Sequence, residues 1–543
     1  MNMREMVQRF RFFGGWRPRG DGVDGGRGLH GRSGQRGRRI AGDGGLVWLW
    51  AVTFFVAIGR GAVIQVTPAD SYAKIESARA GDEVVIAPGT YTYRVHLTAH
   101  ASGSQPILIH AQEPTRRPVW DLSATLVENA PGSYTAGDRG RGAWQLDGGT
   151  GYRISGVEFT GCHTASRNAA GVRYFHGATN LYLSDCLFLG NDNGLTGGTE
   201  NSAATVEFCE FDHNGDPLAT SPTHNMYIYG GVFALRYCYV HDCTQAENFH
   251  VRARDATLEY NWFARAKSYE GDLMTDDDFS GAGPFTQTML VRGNVFLQNA
   301  NPDNHSQVLV IFNDTGLTNE SMSMRVINNT FVGNGGSAAF VHLANQDGTE
   351  MQAEVSNNLI SGTTRPSLID TPARGVVTGG ANWLATGVNP GPLTNSVFSA
   401  TPGFNGVPVK DFTLAPGSAA IGRADATVAL PAYEYYQNET NARQYRVRLT
   451  TRDIGAFESA TTGAGVGPYD APPAPRLVIT RVGGVVTLAW PLAASDYALE
   501  EKSALTGSGG WTPLPLLMIT NASGLQSAAQ ISAADAFYRL RKP

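Results

Sequence analysis

Through the middle of the chain, apolar and polar residues alternate with the period of two expected of half-buried strands. The stretches around Tyr182–Phe188, Val206–Glu210 and Leu290–Arg292 are examples. Turn formers that tolerate positive φ close each run, as in Gly190-Asn191-Asp192-Asn193-Gly194 and Gly333-Asn334-Gly335-Gly336. Inside this alternation one phrase keeps returning: Cys or Asn, any residue, then a large apolar one. It reads Cys186-Leu187-Phe188, Cys209-Glu210-Phe211, Cys238-Tyr239-Val240, Asn261-Trp262-Phe263, Asn294-Val295-Phe296, Asn329-Thr330-Phe331 and Asn358-Leu359-Ile360. Val157-Glu158-Phe159 is a weaker first copy. Successive copies lie 23 to 35 residues apart, the range of stacked supersecondary units.

No amphipathic helix of useful length interrupts the repeats. Coils of short strands and turns, stacked in register, predict an all-β protein: a right-handed parallel β-helix. Equivalent residues then lie about 4.8 Å apart. The Phe of the phrase fills an inward stack, and the Asn copies form a ladder of amides along a bend. Cys186, Cys209 and Cys238 take the same rung as small buried hydrophobes. With Cys162 and Cys243 they are the five cysteines of the chain. This alignment favours structural thiols over a disulfide framework, and no Cys-x-x-Cys spacing suggests a metal.

Residues 63–460 are assigned to the β-helix, 461–475 to a Gly/Pro/Ala-rich linker, and 476–543 to a small β-sandwich-like module. Strands of that module are expected at Leu477–Ile479, Val485–Trp490, Tyr497–Glu500 and Ala536–Leu540. Near the start, Ser71–Ala80 reads as a short helix, followed by "AGDEVVIAPGTY" at 80–91 and "PILIHA" at 106–111. This resembles the opening of proteins of the pectate-lyase-like β-helix superfamily, including chondroitinase B and related alginate lyases. The likeness implies fold rather than activity. Asp453-Ile454-Gly455-Ala456-Phe457-Glu458 resembles the closing segment of secreted bacterial β-helix proteins.

Residues 1–62 read as an export leader, either a signal peptide or a retained anchor. An Arg-rich front precedes an apolar run from Leu46 to Ile58 and the small residues Gly59, Gly61 and Ala62. The run is short for a membrane span, and no stable span is expected after leader removal. The expected location is periplasm, cell surface or medium. This segment carries eleven Arg against four acids, so the remainder is more acidic than the −6 of the whole chain. Such a protein is no general polyanion binder, and no nucleic-acid motif appears. A grip on an acidic polymer must come from a local basic strip.

That strip lies in residues 224–278. His224-Asn225-Met226-Tyr227-Ile228-Tyr229 is followed one coil later by Glu247-Asn248-Phe249-His250-Val251-Arg252-Ala253-Arg254. One coil further come Lys267-Ser268-Tyr269-Glu270-Gly271-Asp272 and Asp276-Asp277-Asp278. Strand parity turns Phe249, Val251 and Ala253 inward and His250, Arg252 and Arg254 outward. Lys267 stands out because the chain has only five Lys: 74, 267, 410, 502 and 542.

β-Elimination of a uronate polymer needs a group to neutralise the sugar carboxylate, a base and an acid. Arg252 or Arg254 suits the first role, Lys267 or His250 the second, and Tyr269 or His224 the third. Asn225, Tyr227, Tyr229 and Asp272 are the expected substrate-binding residues. The bland alternatives are that Arg252 and Arg254 pair with Glu247, Asp255 or Glu259, and that His224 caps a turn. Asp276-Asp277-Asp278 reads as a solvated loop, with a cation site, Ca2+ first, as its functional alternative.

The phrases at 224–228, 250–254, 268–272 and 328–332 resemble those of a secreted, polysaccharide-lyase-like β-helix group. They depart from the Asn/Glu/Glu calcium pattern of the chondroitinase B type. The expectation is a monomeric lyase on an acidic polysaccharide. Its alternatives are a non-catalytic glycan-binding or surface protein, and a glycoside hydrolase using Asp272 with one of Asp276 to Asp278.

Overall fold

The computed structural model describes residues 61–124, 140–275, 285–300 and, apart from short internal stretches, 307–541. The expected leader (through residue 60) and Asp276-Asp277-Asp278 lie outside the described residues. Among those residues, no helix is long and apolar enough to cross a membrane.

Three long parallel sheets of 12, 12 and 10 strands run side by side, and each coil gives one short strand to each in turn. Tyr152–Ser155, Glu158–Thr160 and Ala170–Phe175 form one such coil, of the first, second and third sheet respectively. This is the parallel β-helix that the repeat predicts. The first strand is Val63–Val66, which pairs parallel with Glu83–Ile86 across the short helix Tyr72–Glu76. A parallel partner needs a crossover connection, and this helix supplies it, with Ile75 sealing the core. Toward the end of the β-helix, Gly375–Thr378 and Trp383–Ala385 still pair in register, and Val397–Ser399 closes the second sheet.

The repeated phrase occupies the bend between the first and second sheets. Phe159, Phe188, Phe211, Val240, Phe263, Phe296, Phe331 and Ile360 pair in register and are buried. Phe188 and Phe211 stack at 4.5 Å and 2°. Before them runs the amide ladder. Asn261 Nδ2 donates to Asn294 Oδ1 (3.0 Å), Asn294 to Asn329 (3.1 Å), Asn329 to Asn358 (2.9 Å) and Asn358 to Asn382 (3.0 Å). Each of these Nδ2 groups also donates to a backbone carbonyl of the preceding coil. On the earlier rungs the Cys209 and Cys238 thiols accept from the backbone N–H of Cys186 and Cys209. All five cysteines are free and buried.

The section after the coils folds back along the outside of the second sheet. Phe412, Tyr435, Ala456 and Phe457 cover the outward-facing Tyr239, Trp262, Val295 and Val332. Arg443 reaches Asp185 (2.7 Å) and Glu210 (2.9 Å), and the Tyr469 hydroxyl donates to Asp185 Oδ2 (2.6 Å). Gly455, at φ +100°, has room for no side chain, since a Cβ would lie 2.8 Å from Thr330 Oγ1.

The C-terminal module has a four-stranded and a three-stranded antiparallel sheet, including Val478–Val482, Val485–Trp490, Ala498–Lys502 and Phe537–Arg541. Leu488, Trp490 and Leu499 share one small core with Leu540.

Candidate functional site

Three adjacent strands of the third sheet carry the reactive side chains: Met226–Ile228, Phe249–Val251 and Gly271–Met274. Their register aligns Tyr227 with His250 and Asp272. Two residues ahead of each strand stand His224, Glu247 and Tyr269, and between the two columns run Asn225, Asn248 and Glu270. Parity explains the division. Met226, Phe249 and Val251 enter the core, which turns Tyr227, His250 and Arg252 to the outer face.

The middle column is structural. Asn214 Nδ2 donates to Asn225 Oδ1 (2.8 Å), Asn225 to Asn248 (2.8 Å) and Asn248 to Glu270 Oε2 (2.7 Å). Asn225 also donates to the His241 carbonyl and accepts from the Asn214 N–H. Its amide is fully engaged inside the wall and it is completely buried, so the expected substrate-binding role for Asn225 is corrected to a ladder rung. Burial pushes the Glu270 carboxyl up to about 8, against the hydrogen bonds from Ala266 and Asn248.

The outer columns form one polar cluster. His250 Nδ1 lies 2.9 Å from Asp272 Oδ1, while Arg252 Nε donates to His250 Nε2 at 2.9 Å and Arg252 Nη1 donates to the Thr275 carbonyl at 3.0 Å. With Asp272 accepting at Nδ1–H and Arg252 donating at Nε2, His250 is held as the Nδ1-protonated neutral tautomer. Tyr227 stacks on the His250 ring at 4.3 Å and 9°, and Tyr229 meets Tyr227 edge-on. His224 Nδ1 stands 3.0 Å from Glu247 Oε2. Burial works to raise the Glu247 pKa, but the adjoining His224 outweighs it and holds the carboxyl below its ordinary range. Tyr269 interacts with both Glu247 and Asp272. Burial first, then these two carboxylates, pushes its hydroxyl well above the ordinary tyrosine range.

The structure therefore brings together His224, Tyr227, His250, Arg252, Tyr269 and Asp272. Arg254 Nε pairs with the carboxylate of its sequence neighbour Asp255 at 3.0 Å. Lys267 sits half-buried in the turn just ahead of Tyr269, its N–H bonded to the Cys243 carbonyl. Glu247 is a site residue to which the sequence assigned only an ion pair with Arg252 or Arg254, and no catalytic or binding role. Its signal was available: it occupies the same place ahead of its strand as His224 and Tyr269 do ahead of theirs.

The ligand atoms of His224, Glu247 and His250 lie within 4.8 Å of one another. Calcium takes six to eight oxygens, so this set of two imidazoles and one carboxylate is not a calcium site; the Asp276-Asp277-Asp278 segment at which Ca2+ is expected lies outside the described residues.

No family model and no curated protein matches the chain. Among solved structures, the pectate lyase Pel9A is similar at TM-score 0.46 and 14% identity, over 74% of this chain and 97% of that one. A mutant of the PL6 family alginate lyase AlyGC is similar at TM-score 0.36 and 13% identity, over 75% and 60%. A GH87 alpha-1,3-glucanase from Streptomyces thermodiastaticus gives TM-score 0.36 and 13% identity, over 59% and 68%.

Proposed function

We propose that this protein is a polysaccharide lyase that cleaves a uronate-containing glycan by β-elimination on the outer face of the third sheet. The observation that carries the reading is Tyr269, whose phenol interacts with Glu247 and Asp272, in a cluster that runs from Asp272 through His250 to the buried guanidinium of Arg252. The Tyr269 hydroxyl carries the proton that a general acid delivers to the leaving glycosidic oxygen. Arg252 supplies positive charge against the sugar carboxylate, which makes the neighbouring C–H more acidic. His250 already has a partner at each ring nitrogen, so it orients the cluster and Lys267 takes the proton. Tyr227 and Tyr229 offer ring faces to the sugars.

The test is ultraviolet absorbance of residues 63–543 on a panel of uronate polymers. An unsaturated product is expected. Tyr269→Phe and Lys267→Ala are each expected to lower the rate by about 10²–10⁴-fold with the fold kept. Full activity in both variants would overturn the assignment. Two buried carboxylates flanking one tyrosine, Glu247 and Asp272, support glycoside hydrolysis as the second reading. Saturated products, lost in Glu247→Gln and Asp272→Asn, would establish it.

A further inference from the structure

We infer that His224, Glu247 and His250 form a binding site for a first-row divalent transition ion, Zn2+ by preference. All three side chains are buried and converge from two successive coils, with ligand atoms within 4.8 Å of one another. Two imidazoles and a carboxylate are a donor set that suits zinc and its neighbours rather than calcium or magnesium. His224 Nδ1 carries the argument further. It is buried, and although Glu247 Oε2 is only 3.0 Å away the pair lacks the angle of a well-formed hydrogen bond. The two atoms are close but not aimed at each other, as two ligands sharing a third point would be. Tetrahedral bonds of about 2.0–2.1 Å set neighbouring ligands about 3.3 Å apart.

The surroundings match what a metal-bound histidine needs. Asp272 holds His250 at Nδ1, which fixes the ring and leaves Nε2 as the ligand nitrogen, the usual arrangement of a carboxylate behind a metal-bound imidazole. Arg252 Nε now donates to that Nε2, and the ion would take the lone pair it occupies. With neutral imidazoles, Glu247 and Asp272 place two negative charges against the single guanidinium of Arg252, and a divalent ion reverses that balance. The site then carries net positive charge toward an anionic glycan. The other His–carboxylate groupings among the described residues have their carboxylates engaged: Asp192 accepts from the Thr164 and Ala169 N–H groups, Glu210 from Arg443 and Asp242 from Arg265.

Binding is tested without substrate, so its failure and the failure of the lyase reading are separate results. The metal-stripped protein is titrated calorimetrically with ZnCl2, MnCl2 and CaCl2, and with CoCl2 while its visible d–d bands are recorded. One Zn2+ per chain and a tetrahedral Co2+ spectrum are expected. Affinity should fall at least about 100-fold in His224→Gln and in Glu247→Gln, each checked for wild-type circular dichroism. Absence of Zn2+ and Co2+ binding by the wild-type protein would overturn the inference, as would calcium binding in preference to zinc. Unchanged Zn2+ affinity in folded variants would overturn it too, by placing the ion elsewhere. Should both variants misfold, the wild-type Co2+ spectrum decides, because nitrogen ligation is visible there and an all-oxygen site gives the weak bands of an octahedral ion.

Discussion

Glu270 shows how much one residue's burial governs its chemistry. It closes the ladder Asn214–Asn225–Asn248, accepting from Asn248 Nδ2 in a site with 1% exposure. Its carboxyl, pushed up to about 8 by burial, is protonated in the folded protein at neutral pH and ionised in the unfolded chain. The folded state therefore binds more protons between the two values. Its contribution to stability is fully present below about pH 4.5 and lost as pH rises through about 8. Glu270→Gln keeps an acceptor for Asn248 and removes the titration. Denaturant melts should then show the variant close to wild type at pH 5 and more stable than wild type at pH 8. An unchanged stability difference between those pH values would mean that Glu270 is not neutral in the fold.

At the scale of the element, the two ladders make the bends rigid, and the first of them is worth testing directly. Asn329 accepts at Oδ1 from the Asn294 N–H and Nδ2, and its own Nδ2 donates to the Val291 carbonyl and to Asn358. Asn329→Ala strands several of those buried partners at once. A loss of about 2–4 kcal/mol is expected, since each buried group left unsatisfied costs about 1–3 kcal/mol. Chemical denaturation measures it, and a loss under 1 kcal/mol would show that the ladder is ornamental. This ladder was legible in the sequence because its rungs hold one fixed place in every copy of the phrase. The second was not. Asn191 and Asn214 follow strands of the second sheet, whereas Asn225, Asn248 and Glu270 precede strands of the third, so no constant spacing joins them. The same limit applied at the site: parity located His250 and Arg252, but Glu247 lies in a bend where parity says nothing.

For the whole molecule, the returning segment converts a stack of coils into a more cooperative body. A solenoid is held mainly by contacts between neighbouring coils, yet here residues 404–470 touch many of them at once. They pack Phe412 on Trp262 and Tyr445 on Tyr237, and tie Asn328 to the Asp453 carbonyl. Phe208, Tyr237 and Tyr260 sit at φ between 54° and 56°, a conformation unfavourable for large side chains. Packing with Tyr445 on the outside of the bend compensates for that strain. The segment has no period, so nothing in the repeat announced where it would lie. Its anchor is Arg443, buried between Asp185 and Glu210. Burial alone would raise the Glu210 pKa, but His241 and Arg443 hold it below the ordinary glutamate range. A carboxyl so depressed contributes stability that is present above its unfolded pKa of about 4.5 and lost as pH falls through the folded value. Arg443→Met should therefore cost about 3 kcal/mol at pH 7, the scale of leaving a buried carboxylate without its partner. The penalty should shrink toward pH 3, because the carboxyl then no longer needs a cation. Paired denaturant melts at the two pH values measure this. A penalty independent of pH would assign the role of Arg443 to packing of its aliphatic stem rather than to charge, and would leave the aromatic contacts as what holds the segment to the coils.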